Sequence, residues 1–474
     1  MKQFLVDIAL PVPLDKTFTY ITPPELQPLA KAGSRVLVTF GKKTLSGVIV
    51  GFPAVAPVQG LKPLIDLLDA EPTFSEEMLR LTRWMSEYYF APWGEVLKAA
   101  TPQGLTIERT RHVRLAVEDI RSALEATKRT APKQHAILAA LQHGNDLTVA
   151  QLQKKTRASR IHAALHQMEQ RGWITVEEIA KPRAKPKLEK FVQLTDGGKG
   201  SLYQLDASTD EKSGRLPPKQ RALLLALSGA EQRQRVQGVL KHAGASLSTL
   251  RTLEQKGLVA ITLREVVRES EYEPIEPPPH ITLNQYQQHA VQTIAAAIQE
   301  VRYKTFLLHG VTGSGKTQVY IETIRLVLAA GKTAIVLVPE ISLTPQTVRR
   351  FKAHFANDVA VMHSRMSVGE RFDAWRLAHE ARIKIVIGPR SAIFAPLRNI
   401  GLIVVDEEQE ASYKQFDSTP RYNARDVAIV RASNTKAVVI LGSATPSAES
   451  YHNALSGKYE MLVLPERVDN ARLP

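Results

Sequence analysis

Cysteine is missing from all 474 residues of the sequence. Disulfides are therefore excluded within these residues, as are zinc and iron–sulfur sites that depend on cysteine ligands. Thirteen histidines leave a metal site of histidine and carboxylate ligands possible. However, no HExxH-like spacing occurs, so the sequence carries no specific signal for such a site.

Long hydrophobic runs are also missing. No apolar stretch approaches the roughly 18 residues needed to span a bilayer. The amino-terminal MKQFLVDIALPVPLDKTF has a short apolar patch, but Asp7 and two prolines interrupt it. It lacks the apolar core and the cleavage site of a signal peptide. We therefore expect a soluble, cytoplasmic protein without a membrane partner.

Acidic residues are too few to balance the basic ones. The 62 Lys and Arg outnumber the 47 Asp and Glu, which leaves a net charge of +15 at pH 7. Such an excess favours a polyanionic partner, either nucleic acid or an anionic membrane surface. The apolar content of 44% and the charged content of 23% are those of a globular protein rather than a disordered one.

The length predicts about three domains, and the first covers residues 1–105. It contains short β-type segments separated by Gly and Pro, and a helical segment, SEEMLRLTRWMSEYYF, follows them. The strand candidates are FLVDIAL, FTYIT, SRVLVTF and SGVIVGF. This pattern predicts a small β-barrel with an appended helix.

The second block, residues 106–272, contains a duplication. PKQHAILAAL from Pro132 recurs as PKQRALLLAL from Pro218, and MEQRGWI from Met168 recurs as LEQKGLV from Leu253. Each copy reads as helices that end at a glycine and lead into a β-branched strand, which predicts two winged-helix-like α+β units. The basic stretch KPRAKPKLEK between the copies suits a wing tip or a tether.

The third block, residues 273–474, follows YEPIEPPPH, a proline-rich run that predicts an interdomain linker. Helical segments alternate with nearly continuous apolar strands, which are TFLLHG, TAIVLVPE, IKIVIG, LIVVDEE and AVVILGSAT. Apolar runs without alternation are typical of parallel strands buried on both faces. The fold class is therefore multidomain α/β, and this block is expected to be a RecA-like, doubly wound lobe. Ligands of such sheets bind at the carboxyl ends of the strands.

A phosphate-binding motif follows the first of these strands. Residues 310–317, GVTGSGKT, fit the pattern G-x-x-x-x-G-K-[ST]. Glycines at 310, 313 and 315 let backbone N–H groups face anionic oxygens. Lys316 would meet the β- and γ-phosphates of ATP, and the Thr317 hydroxyl would be a ligand of Mg²⁺. The alternative is a glycine turn before a helix, without a ligand.

A pair of acids ends a later strand, LIVVDEEQ. Asp406 would hold Mg²⁺ and Glu407 would polarise the attacking water, because phosphoryl transfer needs a positioned nucleophile and neutralised charge. Lys316, Asp406 and Glu407 are therefore the catalytic candidates. Acids at the end of an apolar strand are costly unless they are paired with a cation. The alternative is the start of a solvated loop.

Further motifs occur in the order found in superfamily 2 helicases: LNQYQ, VPEISLTPQT, HSRMSVGERFDAW, GPRSAIFAPL, LIVVDEEQEASYKQ, PRYNARDVA and LGSATPS. The chain resembles that superfamily and, more specifically, the PriA family of bacterial replication-restart helicases. IALPVPLDKTFTY, RVLVTFGKK and WMSEYYFAPWGEVL resemble the family's 3′-DNA-binding domain. The resemblance spans almost the whole chain, and the duplicated middle matches least.

The resemblance implies roles for residues of the third block. Gln287 would read adenine, Ser443 and Thr445 would couple hydrolysis to strand movement, and Arg390 would contact the DNA backbone. The segment from Tyr413 to Arg425 resembles the family's aromatic-rich loop. Its implied DNA-binding residues are Tyr413, Lys414, Phe416, Arg421, Tyr422 and Arg425. Alternatively, the aromatic side chains of this loop pack beneath the sheet.

In the first block, the resemblance implies a site for the 3′ end of a nascent DNA strand. Its members are Phe18, Tyr20, Gly41 and Lys62. An alternative exists for Phe18 and Tyr20, because side chains two residues apart on a strand share one face and could both belong to a barrel core.

The family activity implied is that of an ATP-dependent 3′-to-5′ DNA helicase with ATP and Mg²⁺ as cofactors. It recognises stalled or repaired replication forks and initiates primosome assembly for replication restart. The implied partners are branched and single-stranded DNA, single-stranded DNA-binding protein and primosome proteins, in association with the nucleoid. The alternative is a non-catalytic, DNA-fork-binding or regulatory fragment. A winged-helix transcription activator is disfavoured, because GSATPS and PRYNARD do not belong to that design.

The resemblance also implies a second helicase lobe with arginine fingers and a cysteine-rich zinc module, which are absent from residues 1–474. Residues 1–474 alone should therefore bind DNA but unwind it poorly or not at all. Three positions depart from the family pattern: Thr19 stands where Asp is common, and Gln409 and Asn423 stand where His is usual. Thr19 can hydrogen-bond a 3′-hydroxyl but brings no charge to the 3′-end site.

Overall fold

The structure is a computed structural model. It describes residues 4–468 except for 58–59, 70, 103–104, 106, 118, 143–145, 157–160, 183–186, 208–215, 229–232, 267 and 269–280. Two compact units emerge, the first made of Met1–Ala184 with Tyr272–Pro474 and the second of Lys185–Glu271. The proline-rich linker predicted at 272–280 lies outside the described residues. The domain boundaries expected near residues 105 and 272 remain predictions.

The amino-terminal region forms an antiparallel five-stranded sheet in the order β2-β1-β4-β3-β5. Its strands are β1 (Leu5–Ala9), β2 (Thr17–Ile21), β3 (Arg35–Phe40), β4 (Lys43–Gly51) and β5 (Leu64–Leu67). The outer strands approach each other where the Ile21 amide donates to the Lys62 carbonyl at 3.0 Å. Two helices follow, α1 (Glu76–Tyr88) and α2 (Trp93–Ala100). The Ser75 hydroxyl caps α1 by accepting from the Met78 amide.

The predicted duplication is visible in the element order. The first copy contains β6 (Ile107–Leu115), α3 (Ile120–Thr127), α4 (Pro132–Gln142), β7 (Asp146–Thr148), α5 (Val149–Thr156), α6 (His162–Gln170) and β8 (Ile174–Pro182). Its strands form a sheet in the order β7-β6-β8. The turn after α6 is made at Gly172, whose φ of 69° favours glycine.

The second compact unit repeats this arrangement. It contains β9 (Lys187–Leu194), α7 (Asp196–Ala207), α8 (Pro218–Ser228), β10 (Gln234–Arg235), α9 (Val236–His242), α10 (Leu247–Gln255) and β11 (Val259–Val266). Its sheet order, β10-β9-β11, corresponds to the order β7-β6-β8 of the first copy. Gly257 makes the turn after α10 with the same φ of 69°. Part of the predicted wing tip, 183–186, lies outside the described residues.

The carboxy-terminal region contains a seven-stranded parallel sheet in the order β14-β15-β13-β16-β17-β12-β18. Its strands are β12 (Lys304–Gly310), β13 (Thr333–Leu337), β14 (Val359–Val361), β15 (Ile385–Gly388), β16 (Ile400–Asp406), β17 (Val438–Ser443) and β18 (Glu460–Leu464). All five predicted strands are present. The α/β class with a parallel sheet is therefore confirmed.

Helices cover both faces of this sheet. They are α11 (Gln285–Gln299), α12 (Lys316–Ala329), α13 (Pro345–Phe355), α14 (Val368–His379), α15 (Ala424–Thr435) and α16 (Ala448–Leu455). Successive strand residues alternate between two cores, as Val404 and Val405 of β16 do. Burial on both faces is the reason that the strands are apolar throughout rather than alternating.

The helices of the amino-terminal region share one of these cores with the parallel sheet. Buried residues of α1 and α2, such as Leu81 and Leu97, belong to the same cluster as Val405. A buried ion pair adds to this contact, because Arg431 of α15 reaches Glu77 of α1 with an N–O distance of 3.2 Å. The amino-terminal region and the lobe are therefore fixed to each other within the first unit. None of the helices that the structure describes is long and apolar enough to cross a membrane.

Candidate active site

The glycine-rich motif forms a loop between β12 and α12. Gly310 ends the strand and Lys316 is the first residue of the helix. Gly313 and Gly315 have φ of 81° and 80°, a left-handed conformation that disfavours other residues. A Cβ at Gly315 would also lie 2.3 Å from the Gln287 side-chain nitrogen. The residue types at these positions are therefore required by the backbone path.

Lys316 is held between this loop and the acidic pair. Its Nζ donates to the Gly310 carbonyl at 2.9 Å and lies 3.9 Å from Glu407 Oε1. The contact arises from strand order, because β17 is the one strand between β12 and β16 and all three are parallel. The structure thus brings together two motifs that lie about 90 residues apart in sequence.

Asp406 ends β16 beneath the loop. One of its carboxylate oxygens accepts a hydrogen bond from the Tyr320 hydroxyl at 3.0 Å. Burial, followed by the neighbouring charge of Glu407, raises the pKa of Asp406 from 3.8 to about 6. The pKa of Tyr320 is also raised, mainly because the ring is buried. The site therefore holds a carboxylate whose charge the nearby Lys316 offsets only in part, as a ligand of a divalent ion would.

Glu407 is positioned by its backbone and by a chain of hydrogen bonds. Its φ of 46° lies in the left-handed region, which is unusual for a residue other than glycine. The Gln409 side-chain nitrogen donates to Glu407 Oε2 at 3.0 Å, and Ser443 Oγ donates to Gln409 Oε1 at 2.6 Å. The Thr445 amide in turn donates to Ser443 Oγ at 2.9 Å. The chain links the acidic pair to both predicted coupling residues.

Glu408 is a buried acid next to the site, and the sequence analysis gave it no role. It is 2% exposed and accepts four hydrogen bonds. The donors are Arg425 Nη1, the Ser447 amide and hydroxyl, and the Ser450 hydroxyl. Three consecutive acids after a buried strand were the available signal, because only two of them are needed at the phosphate site.

The residues present fit a magnesium nucleotide. The loop offers backbone N–H groups and the half-buried Thr317 hydroxyl. It also offers the Lys316 ammonium, which lies 3.9 Å from Glu407. Ser314 Oγ is buried without a hydrogen-bond partner among the described residues, so this hydroxyl of the loop is available to hydrogen-bond a ligand. By contrast, a cysteine-rich zinc module does not fit residues 1–474, which lack cysteine.

Gln287 lies against the loop. It is 2% exposed, its side-chain nitrogen donates to the Ser314 carbonyl at 2.9 Å, and its oxygen accepts from the Asn284 amide at 3.0 Å. The second bond belongs to a capping box at the start of α11. Adenine recognition by Gln287 remains a prediction, and the observed contacts give the residue a role in holding the loop.

The aromatic residues of the segment 413–425 are divided between core and surface. Tyr413 is 1% exposed and donates to the Leu337 and Asp406 carbonyls at 3.0 and 2.6 Å. Tyr422 is 2% exposed, whereas Phe416 is 62% exposed. Packing beneath the sheet, the alternative considered from sequence, describes the two tyrosines. Their assignment to DNA remains a prediction, and only Phe416 has a ring accessible for stacking.

The cations of this region also differ in their availability. Arg425 is engaged with Glu408, and Arg390 Nη1 donates to the Lys414 carbonyl at 3.1 Å. Lys414 Nζ lies 5.4 Å from the centroid of the Tyr89 ring, a cation–π contact with the amino-terminal region. Arg421 is exposed. DNA contact by all four remains a prediction, and Arg425 is the least available of them.

A cleft of about 1070 Å³ lies between α2 and the carboxyl ends of the parallel strands. Residues from both regions line it, among them Pro92, Lys98, Glu340, Arg390, Lys414 and Phe416. The cleft is thus continuous with the loop 411–422, which carries aromatic and basic side chains. Its size and lining suit an extended polyanion better than a compact ligand.

The four residues predicted to hold a 3′ end cluster at one side of the amino-terminal sheet. Phe18 contacts Phe40 edge to face with a centroid distance of 5.0 Å, next to Gly41. The Tyr20 hydroxyl donates to the Thr39 carbonyl at 3.1 Å, and Lys62 is exposed beside Ile21. Tyr20 is 6% exposed and packs in the sheet core, as the alternative interpretation holds. The DNA role of the four remains a prediction.

Comparison with known proteins gives two family matches. Residues 7–102 match the PriA 3′DNA-binding domain, and residues 280–448 match the family described as the res subunit of type III restriction enzymes. Replication restart protein PriA of Bacillus subtilis strain 168 is 36% identical over 97% of this chain and 55% of its own length. The PriA of Synechocystis sp. PCC 6803 is 36% identical over 96% of this chain and 54% of its own.

The chain belongs to the PriA family. It spans about half the length of the curated PriA proteins that it matches. A solved structure, the Pyrococcus furiosus Hef helicase domain, is 22% identical, with a TM-score of 0.28 over 38% of each chain. This likeness is too slight to support any conclusion about the chain.

The three departures from the PriA pattern have local explanations in the structure. Thr19 Oγ1 donates to Asp7 at 2.6 Å across the β1–β2 pair, so a carboxylate is still present at this position of the sheet. Gln409 joins Glu407 to Ser443, a contact that an amide makes with one donor and one acceptor. Asn423 caps α15 by accepting from the Arg425 amide.

Replacing Asp406 with asparagine should stabilise the protein at pH 7.5 in the presence of a chelator. Because the folded state raises the pKa of this carboxyl from 3.8 to about 6, stability is greatest when it is protonated and is lost as the pH rises from 4 through about 6. A shift of about two units corresponds to roughly 3 kcal/mol for the ionised form. Asparagine keeps the acceptor for Tyr320 and removes the charge.

The gain is measured as the difference in urea midpoint between Asp406→Asn and wild type. It should shrink as the pH is lowered from 7.5 to 5, where the wild-type carboxyl is largely protonated. The exposed Asp417→Asn serves as a control and should show no gain. An equal gain at both pH values would contradict the assignment of the effect to this charge.

Proposed function

We propose that the chain is the nucleotide- and DNA-binding part of an ATP-dependent 3′-to-5′ DNA helicase that acts at stalled or repaired replication forks. The proposed role of this helicase is replication restart, including primosome assembly, in the cytoplasm at the nucleoid. The observation that carries the proposal is the Lys316 ammonium 3.9 Å from Glu407, between the phosphate loop and the acidic pair.

Finer features of the fold are part of the same proposal. The amino-terminal sheet, whose outer strands meet at Ile21 and Lys62, is proposed to be a small β-barrel. The two copies of the repeat are proposed to be winged helices that contact duplex arms. In each copy two consecutive helices lead into a strand that pairs antiparallel with the strand that opens the copy. The domains proposed are 1–105, 106–272 and a RecA-like lobe at 273–474.

ATP with Mg²⁺ would be held by the loop 310–317, with Lys316 at the phosphates and with Thr317 and Asp406 at the ion. The bound magnesium nucleotide supplies the phosphoryl group that is transferred to water and neutralises its charge. Glu407 is the residue in position to orient that water, because its backbone and Gln409 hold the carboxylate toward the loop.

The bonds from Glu407 through Gln409 to Ser443 give a route for coupling. A change in the hydrogen bonding of Glu407 would alter the partner available to Gln409 and then to Ser443. Thr445, whose amide bonds to Ser443 Oγ, is exposed beyond the end of β17. We propose that this segment moves with the nucleotide state.

DNA is proposed to enter the cleft between α2 and the parallel sheet and to end at the amino-terminal site. Phe416, Lys414 and Arg390 line the cleft, while Phe18, Tyr20, Gly41 and Lys62 would receive the 3′ end. Single-stranded DNA-binding protein and primosome proteins are proposed as further partners of the whole protein. Residues 1–474 alone are proposed to bind forks without unwinding them efficiently.

Binding to synthetic forks tests the proposal. Fluorescence anisotropy is measured for a fork with a 3′-hydroxyl at the junction, the same fork with a 3′-phosphate, and a blunt duplex, across a range of salt. We expect the hydroxyl fork to bind tightest, and Lys62→Ala to weaken it about 3- to 10-fold, the effect of one lost hydrogen bond. Lys31→Ala, an exposed lysine of the same region, is the control.

The result that would overturn the proposal is equal affinity for all three DNAs with the same salt dependence, since that means phosphate contacts alone. Addition of Mg-ATP distinguishes the proposed helicase part from the alternative, a non-catalytic fork-binding fragment. Nucleotide binding together with fork binding supports the helicase assignment, whereas fork binding without any nucleotide binding indicates a non-catalytic fork-binding fragment.

A further inference from the structure

The turn between α1 and α2 has an unusual residue at the position that follows the helix cap. Tyr89 is the cap of α1, and the Ala91 amide donates to the Ser86 carbonyl at 3.0 Å, as in a Schellman motif. The residue between them, Phe90, has φ of 48°. Glycine is the usual residue at this position because a Cβ disfavours the left-handed conformation.

Phe90 is also the most exposed of the large apolar side chains that the structure describes, at 96%. Backbone strain alone does not indicate a ligand, because Val301 has φ of 50° after α11. Val301, however, leads into the amino-terminal end of β12, at the edge of the sheet opposite the cleft. Phe90 differs in presenting an aromatic ring to solvent where glycine would satisfy the fold better.

The turn that carries Phe90 is fixed on both sides. Ser86 Oγ donates to the Ala91 carbonyl at 2.7 Å, and Ala91 itself is buried. The Tyr89 hydroxyl accepts from the Asn423 amide at 3.2 Å, and Lys414 lies over the Tyr89 ring. The ring of Phe90 therefore projects from a turn that is held in place by residues of the 413–425 segment.

The residues around this turn favour nucleic acid as the ligand of the Phe90 ring. Pro92, two residues after Phe90, lines the cleft together with Lys98, Lys414 and Phe416, although Glu95 also faces it. Tyr88, on the other side of the turn, is 58% exposed. Aromatic rings interleaved with cations along a groove are the pattern by which proteins bind unpaired bases without sequence preference.

We propose that Phe90 stacks on an unpaired base of DNA next to the part of the cleft that Pro92 lines. This inference rests on the proposed DNA-binding function and adds to it a contact site in the turn between α1 and α2. The ring would contribute base stacking, while Lys98 and Lys414 of the cleft would contact the phosphates on either side.

Four variants test this proposal: Phe90→Ala, Phe90→Trp, Phe90→Gly and Val301→Gly. Affinity for an oligothymidylate is measured by anisotropy, and stacking is measured by the fluorescence of an oligonucleotide that contains 2-aminopurine. Phe90→Ala should lose about 5- to 100-fold in affinity and should not quench the 2-aminopurine. Phe90→Trp should retain both properties, because its ring can stack as well.

The glycine variants separate the ring from the backbone. Both should raise the thermal midpoint, because glycine adopts the left-handed conformation without strain. Only Phe90→Gly should lose DNA affinity, and Val301→Gly should bind as wild type does.

Unchanged affinity of Phe90→Ala would overturn the inference while leaving the proposed function in place, and would point to a protein contact for the ring. Equal losses in both glycine variants would also overturn it. Failure of the wild-type chain to bind single-stranded DNA would instead refute the proposed function, and this inference with it.

Discussion

Replacing Glu408 with alanine is expected to lower the free energy of unfolding of the first unit by about 3–5 kcal/mol. The side chain is buried and accepts bonds from Arg425, Ser447 and Ser450. Alanine would leave the guanidinium of Arg425, whose side chain is 15% exposed, without its buried partner. The Ser447 amide and the Ser450 hydroxyl would lose their acceptor as well.

Urea unfolding followed by tryptophan fluorescence measures this loss. All four tryptophans, Trp84, Trp93, Trp173 and Trp375, belong to the first unit, so the signal reports on the unit that contains Glu408. Asp417→Ala, which removes an exposed carboxylate, is the matched control. Glu408→Gln should fall between wild type and alanine, because it keeps the shape and loses the charge.

A midpoint for Glu408→Ala within error of wild type would show that the Arg425 pair contributes nothing net. An exposed pair would give that result. Removal of Glu408, by contrast, leaves a guanidinium that is 15% exposed with Asp426, which is 37% exposed, as its remaining carboxylate partner. The double variant Glu408→Ala, Arg425→Ala separates the two effects. It should recover part of the lost stability if the main cost is the guanidinium that has lost its buried partner.

The parallel sheet could be predicted from sequence because its signal is local. Each of the strands β12, β13, β15, β16 and β17 is an apolar run followed by a loop motif, and burial on both faces requires such runs. The phosphate loop could be predicted for the same reason, since the strand, the glycines and the helix are contiguous. The duplicated order of helices and strands could also be predicted, because two segments of the amino-acid sequence recur.

The partners of individual charged residues could not be predicted, because they depend on strand order. DEEQ contains three acids in succession, and the sequence gives no way to tell that Glu407 faces Lys316 while Glu408 faces Arg425. The distinction arises at Glu407, whose left-handed φ turns the next side chain into the core. The DNA contact that the resemblance implied for Arg425 remains a prediction, and nothing in the sequence indicated that its guanidinium pairs with Glu408.

The burial of Tyr413 and Tyr422 has a similar cause. An aromatic residue in a loop packs wherever a neighbouring element leaves space, and here the Leu337 and Asp406 carbonyls accept from the Tyr413 hydroxyl. The contact of α1 with α15 through Glu77 and Arg431 joins residues 354 positions apart. Neither contact has a local signal in the sequence.

Replacing Lys316 with alanine is expected to weaken the binding of Mg-ATP by about 10- to 150-fold, the effect of losing charged hydrogen bonds. The ammonium is the one cation that the structure shows between the loop 310–315 and Glu407. Without it, the phosphates would face the two carboxylates without the ammonium that lies between the loop and Glu407. DNA affinity should be unchanged, because Lys316 does not line the cleft.

Titration of a fluorescent ATP analogue with and without Mg²⁺ measures this effect. Lys384→Ala, which removes an exposed lysine paired with Asp358, is the control and should bind as wild type does. Lys316→Arg should recover little affinity, because the ammonium is a compact point charge held by the Gly310 carbonyl and the planar guanidinium has a different donor geometry. Nucleotide affinity of Lys316→Ala within threefold of wild type would mean that the phosphates are held elsewhere. The acidic pair would then lack the counterpart on which the motor assignment depends.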